Sequence, residues 1–232
     1  MLFSGNMPEI CSVFEVFKRG TQEIQNDMEL IRNSTDDLEN LLEVYEENIH
    51  TLLYLLVIIL KLKPNIEEMA NVCSWVYKFL QQKPSLRNGF TPLHMSASHG
   101  TIVDDFHVND VVTFPNGNLC KLLIDCGSNV NARDNFGNTA LHLIVQYINP
   151  INDFDNLHSC MMALLGAGAH IDICNKDGET ALDVATTGVA EVIIRTNYVI
   201  SLRCLASRVI KKCDIPYHGL IPTDLEDFVM LH

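Results

Sequence analysis

Basic side chains are scarce in this 232-residue chain: 16 Lys and Arg stand against 29 Asp and Glu, a net charge of −13. Nucleic-acid interfaces gather Lys and Arg against the phosphates, so this balance argues against that class of partner. It suits a basic protein partner or, more commonly, a solvated acidic face. Long apolar runs are missing too. The longest, Leu52 to Leu60, ends at Lys61, whereas a membrane-spanning helix needs roughly 20 apolar residues. With 47% hydrophobic residues and a mean hydropathy of +0.12, the chain is expected to bury a sizeable core without a membrane.

Paired cysteines are also absent. Cys11, Cys73, Cys120, Cys126, Cys160, Cys174, Cys204 and Cys213 contain no C-x-x-C pair. Zinc calls for about four closely spaced ligands, so no metal or other cofactor is expected. Met1 to Gly5 lacks a basic, then apolar, signal sequence. The cysteines read as reduced, buried small hydrophobes of an intracellular protein, cytoplasmic and also nuclear. No nucleophile elbow, phosphate loop, H-E-x-x-H or kinase signature occurs, and no catalytic residue is assigned.

What is present is helical patterning throughout, an all-α fold class. Residues 1–86 read as a helical region. Pro8 suits a first helical turn, and Ile10, Val13, Phe14 and Phe17 make an apolar stripe. Ser34 to Asp37 is expected to cap a long second helix reaching Lys61, whose last turns are apolar all round and therefore need neighbours on every side. Lys63-Pro64-Asn65 breaks it, and a third helix runs from about Ile66 to Leu80, with the single tryptophan, Trp75, partly buried.

From Asn88 an internal repeat appears. Gly89 to Ala97 reads G-F-T-P-L-H-M-S-A, and G-x-T-A-L-[HD] returns at Gly137 and Gly178, matching the ankyrin pattern. Thr caps each inner helix, Pro92 fits a first turn, and Gly127 and Gly168 suit the left-handed ends of outer helices. The repeats are set at 88–134, 135–177 and 178–199 within an ankyrin region of 87–199. Their threonines, Thr91, Thr139 and Thr180, are spaced wider than the ~33 residues of a plain repeat. Insertions are therefore expected near 101–116, carrying Asp104, Asp105, His107 and Asp110, and near 149–156. Such loops are natural contact sites. His94 and His142 read as tying their turns by hydrogen bonds, with Asp183 in their place in the third repeat.

Residues 200–232 hold two short motifs. In S-L-R-C-L-A-S-R-V-I (201–210), Leu202, Leu205, Ala206, Val209 and Ile210 share one helical stripe behind Ser201 as cap. In L-I-P-T-D-L-E-D-F-V (220–229), Thr223 and Glu226 have capping-box spacing, with Leu225, Phe228 and Val229 in helical register. Two closing helices packed on the repeats would give the same periodicity.

The first motif resembles the elongin C-binding BC box, with Leu202, Ala206 and Ile210 in its places and Ala206 where Cys is commoner. The second resembles a cullin box, Φ-P-x-x-Φ-x-x-F, through Ile221, Pro222, Leu225 and Phe228. Together with insertion-bearing ankyrin repeats, Thr113-Phe114-Pro115 and the ending I-P-T-D-L-E-D-F-V-M-L-H, they resemble the C-terminal portion of the Fem (feminization) family, VHL-box substrate receptors of cullin-2 ubiquitin ligases. The resemblance covers residues 1–86 more loosely, as the end of a TPR-like helical region. It implies a non-catalytic receptor, since no RING zinc ligands are present. Leu202, Leu205, Ala206, Val209 and Ile210 would bind elongin C of the elongin B/C pair. Ile221, Pro222, Leu225 and Phe228 would bind cullin 2 with its RING subunit; cullin-5 partners usually carry Leu-Pro instead. The family's long N-terminal ankyrin array, which binds substrate C-termini, has no counterpart here, so no substrate-pocket residue is assigned. A fragment, an isoform and a short member all remain open. So do an ankyrin scaffold unconnected to ubiquitin, which predicts the 201–210 stripe packed inward, and an ankyrin SOCS-box receptor for cullin 5.

Overall fold

The computed structural model describes residues 7–33, 38–81, 86–98, 100–103, 111–147, 154–197 and 200–231. Three long helices come first: α1 (Met7–Asn33), α2 (Leu38–Lys61) and α3 (Ile66–Gln81). Phe17 and Ile24 of α1 and Val72, Val76 and Phe79 of α3 are buried in one core with the α2 residues Tyr45, Ile49, Leu52, Leu53, Leu56 and Ile59. The all-round apolar end of α2 has the neighbours it needs, because α2 packs on α1 and also reaches the ankyrin helix α5 (Gly117–Asp125). Trp75 is half-buried, its ring centroid 6.0 Å from that of Phe17. Lys63, at φ +50°, ends the α2 segment before Pro64. The expected cap Ser34 to Asp37 lies outside the described residues.

The repeats follow as α4 (Pro92–Ala97), α5, α6 (Ala140–Ile144), α7 (Phe154–Gly166) and α8 (Gly188–Asn197). Inner helices α4 and α6 stack on one another, and outer helices α5 and α7 do the same. The intervening turns are joined in series: Asn135 N–H donates to the Asn88 carbonyl and Lys176 N–H to that of Phe136, each at 2.9 Å. Gly89 makes the first of these turns possible. Its φ is +79°, and a Cβ there would stand 2.7 Å from the Asn135 nitrogen. Gly127 and Gly168 end α5 and α7 with φ of +94° and +88°, the left-handed close anticipated from sequence.

Two features depart from the sequence expectation within an otherwise helical architecture. The first insertion contains an antiparallel ribbon, β1 (Gly100–Val103) with β2 (Val111–Phe114), running from Gly100 opposite Phe114 to Val103 opposite Val111. Its β-branched residues, Thr101, Ile102, Val103, Val111, Val112 and Thr113, favour pleated pairing. Phe114 is buried, the Phe114–Pro115 peptide is cis, and Asn116 N–H donates to the Ser96 carbonyl at 2.9 Å. Asp104, Asp105, His107 and Asp110 lie outside the described residues, as do 148–153 of the second insertion; Phe154 to Asn156 already belong to α7. In the third repeat the segment after Thr180 is a turn and not an inner helix.

Candidate docking site

The chain closes with α9 (Leu202–Lys212) and α10 (Thr223–Leu231), which pack on one another. Ser201 caps α9, its hydroxyl accepting from the Cys204 N–H at 3.2 Å. Ile215 N–H donates to the Ile210 carbonyl beyond Asp214, which sits at φ +50°. The orientation of α9 decides its role. Cys204 and Ser207 are its buried residues, whereas Leu202 is 83% exposed, Leu205 43% and Val209 53%. Ala206 is exposed as well, and Ile210 is half-buried. The apolar stripe therefore faces away from the buried side of the helix, which carries the small residues between its members.

Polar bonds hold the inner face of α9. Asp172, in the turn after α7, has a fully buried side chain, and Arg208 Nε lies 3.1 Å from its Oδ2. The Cys204 Sγ sits 3.3 Å from Nδ1 of His170, whose backbone N–H donates to Asn131 Oδ1 at 2.9 Å. A charge enclosed like Asp172 requires a partner, since desolvation penalises any lone ion. Arg208 supplies one from the helix that has to be held.

The second motif is divided between contact and surface. Pro222 is exposed, Leu225 is 37% exposed, and Ile221 and Phe228 are half-buried. Phe228 packs edge-on to His170 at 5.3 Å between centroids and lies under the Arg203 guanidinium at 4.5 Å. It thus ties α10 both to α9 and to the second repeat. Val229 is buried. The capping box expected between Thr223 and Glu226 is not formed. Thr223 is already in the first turn of α10, and Glu226 reaches back to accept from the Gly219 N–H at 2.6 Å, with His218 Nδ1 3.3 Å away. The reason is Gly219 itself: at φ +73° it turns its N–H toward the helix start, offering the carboxylate a nearer donor.

His94 and His142 join repeats as well as tie turns. Nδ1 of His94 accepts from the Thr91 N–H at 3.1 Å, and its Nε2 reaches the Asn138 carbonyl at 3.1 Å. His142 repeats this with Thr139 and, at 3.3 Å, the Glu179 carbonyl. Burial pushes both histidines below their ordinary pKa. Asp183 accepts from the Thr180 N–H at 2.8 Å, closing its own turn. A groove of about 410 Å³ lies elsewhere, lined by Leu80, Thr91, Pro92 and Asn129 among others.

This architecture defines an ankyrin-repeat protein: residues 109–197 match the ankyrin-repeat family in three copies. Full-length relatives sharpen the assignment. The chain is 38% identical over 159 residues to human protein fem-1 homolog A, covering 68% of the chain and 22% of that protein. It is 32% identical over 182 residues to zebrafish protein fem-1 homolog C, covering 78% of the chain and 28% of that protein. The chain belongs to the Fem family, and it spans about a quarter of the length of the curated relatives it matches. No helix among the described residues is long and apolar enough to cross a membrane.

Proposed function

We propose that this chain acts as a non-catalytic substrate-recognition subunit, or a shortened form of one, of a cullin-2 RING ubiquitin ligase. In this reading α9 docks on elongin C of the elongin B/C pair through Leu202, Leu205, Ala206, Val209 and Ile210. Ile221, Pro222, Leu225 and Phe228 meet cullin 2, with Phe228 also anchoring α10 through His170 and Arg203.

The observation that carries the proposal is the outward aim of the α9 stripe. A helix that served only to cap the repeats would lay Leu202, Leu205 and Val209 against them. Here Cys204 and Ser207 are the buried residues, Cys204 meets His170 of the repeats, and the larger aliphatic residues stay in solvent. An apolar row kept outside by specific inner contacts is a surface for a partner. Burying one Leu is worth roughly 1.5–3 kcal/mol, so a charge at Leu202 weakens the complex by about tenfold or more.

The test is co-expression with elongin B, elongin C and cullin 2, comparing wild type with Leu202→Asp by size exclusion. A complex formed by wild type and lost in the variant, with unchanged circular dichroism, is the expected result. Absence of a wild-type complex would end the ligase reading and leave an ankyrin scaffold. Recruitment of cullin 5 in place of cullin 2 would move the chain to the SOCS-box class.

A further inference from the structure

The seam between α9 and the second repeat gathers a thiol, an imidazole and a carboxylate that no part of the docking proposal uses for chemistry. We propose that His170, Asp172 and Cys204 form a zinc site that fastens α9 to the ankyrin repeats. One ligand atom from each lies within 4.8 Å of the others. His170 Nδ1 is 3.3 Å from Cys204 Sγ and 3.9 Å from Asp172 Oδ1. Zinc bonds of about 2.0–2.3 Å in a tetrahedron set ligand atoms roughly 3.3–3.6 Å apart. The sulfur–imidazole separation already matches that spacing, and the carboxylate has to close on the other two to complete the site.

The surroundings are those of a metal site. Cys204 and Asp172 are buried and His170 is half-buried, leaving one side for a water as fourth ligand. Each ligand is held from behind. Arg208 Nε takes the other oxygen of Asp172, Oδ2, at 3.1 Å, which leaves Oδ1 directed at the imidazole. The Ser201 hydroxyl lies 3.0 Å from the sulfur. Asn131 fixes the His170 backbone, and the Phe228 ring abuts the imidazole. Outer partners of this kind orient metal ligands. Arg208 also balances the carboxylate, so the thiolate carries the charge the metal answers. On binding, the Cys204 thiol proton leaves to solvent, and neutral His170 donates through Nδ1. Mixed sulfur, nitrogen and oxygen donors suit Zn2+ and disfavour Mg2+ or Ca2+. Two ligands come from one turn and the third from the first turn of α9, so the ion would cross-link the two and hold the apolar stripe outward.

Metal binding is read with no partner present, so it succeeds or fails independently of the ligase proposal. The full chain, reduced and metal-free, is titrated with Co2+ and back-titrated with Zn2+. Wild type should develop one equivalent of the near-ultraviolet sulfur-to-cobalt charge-transfer band, bleached by zinc, and Cys204→Ala should lose it while keeping its far-ultraviolet circular dichroism. A folded wild type without the band overturns the site. So does a band that survives Cys204→Ala, because the thiolate would then be another, such as Cys73 or Cys126, which lie beside one another. If Cys204→Ala does not fold, His170→Gln decides: cobalt affinity should fall at least about tenfold, and unchanged affinity refutes the proposal.

Discussion

Helices α5 and α9 have similar lengths and similar amphipathic stripes, yet they face opposite ways. In α5, Leu119, Cys120, Leu122 and Leu123 are all buried against α7 and α4. In α9, Leu202, Leu205 and Val209 stand in solvent while Cys204 and Ser207 are buried and Cys204 and Arg208 meet the repeats. Periodicity reports that a helix has two faces; it does not report which face the rest of the chain takes. In α5 the choice follows from a largely apolar core, with Leu93 and Ala97 of α4 and Leu157, Cys160, Met161 and Leu164 of α7 buried in it. In α9 it follows from a buried carboxylate, Asp172, and a half-buried imidazole, His170, which call for a cation and a small polarisable partner.

The sharpest way to break this comparison is to truncate one leucine in each helix. Leu123→Ala opens a cavity in the repeat core and should cost about 2–5 kcal/mol, seen as a lower denaturation midpoint. Leu202→Ala removes a side chain already in water and should stay within about 0.5 kcal/mol. Equal losses from the two variants would mean that α9 is packed like α5. Only Leu202→Ala is expected to weaken elongin C binding.

A second variant sharpens what holds α9. Arg208→Leu strands the buried Asp172 carboxylate and should cost about 1–3 kcal/mol, with faster hydrogen exchange in the amides of α9 and none in those of α5. Asp172→Leu combined with Arg208→Leu removes both charges and should recover part of that loss, since a missing pair costs less than a broken one. If the double variant were as unstable as the sum of the two single ones, the pair would not be coupled.

The comparison also explains what was legible in the sequence. The repeats could be read because each local signal agrees with its packing: Thr91 caps α4, Gly127 closes α5, and Leu93 and Leu141 turn inward. The two stripes of the tail were legible as stripes, and their resemblance to box motifs singled out Leu202 to Ile210. Their orientation was not, because it rests on Asp172 and His170, some 30 residues upstream and inconspicuous in a turn. The converging donors of that seam were hidden for the same reason, since no short spacing links Cys204 to them. The β1–β2 ribbon had a signal, a β-branched run on each side of the insertion, that was outweighed by the helical texture around it. Glu226 was misread because its partner is a left-handed glycine, Gly219, and not the residue three places before it.

The smallest expected effect separates the two repeat joints from the turn of the third repeat. His94 and His142 each accept a backbone N–H at Nδ1 while Nε2 meets the next repeat's carbonyl, a pattern only the neutral, Nε2-protonated ring satisfies. Burial, the leading cause, holds both below the ordinary pKa of about 6.5. The unfolded chain then takes up these protons first as pH falls. Stability is full above about 6.5 and declines as pH drops through that value toward the depressed folded-state pKa. His50, also lowered by burial, acts in the same sense. Asp183 behaves differently: its bonds to Thr180 hold its carboxyl below the ordinary value, so its contribution persists until the carboxylate range and is lost only in stronger acid. Melting midpoints followed from neutral pH downward should therefore fall in two stages. His142→Asn should flatten the first stage and leave the second, and Asp183→Asn should do the reverse. An unchanged first stage in His142→Asn would remove the buried ring from the account of how the repeats respond to acid.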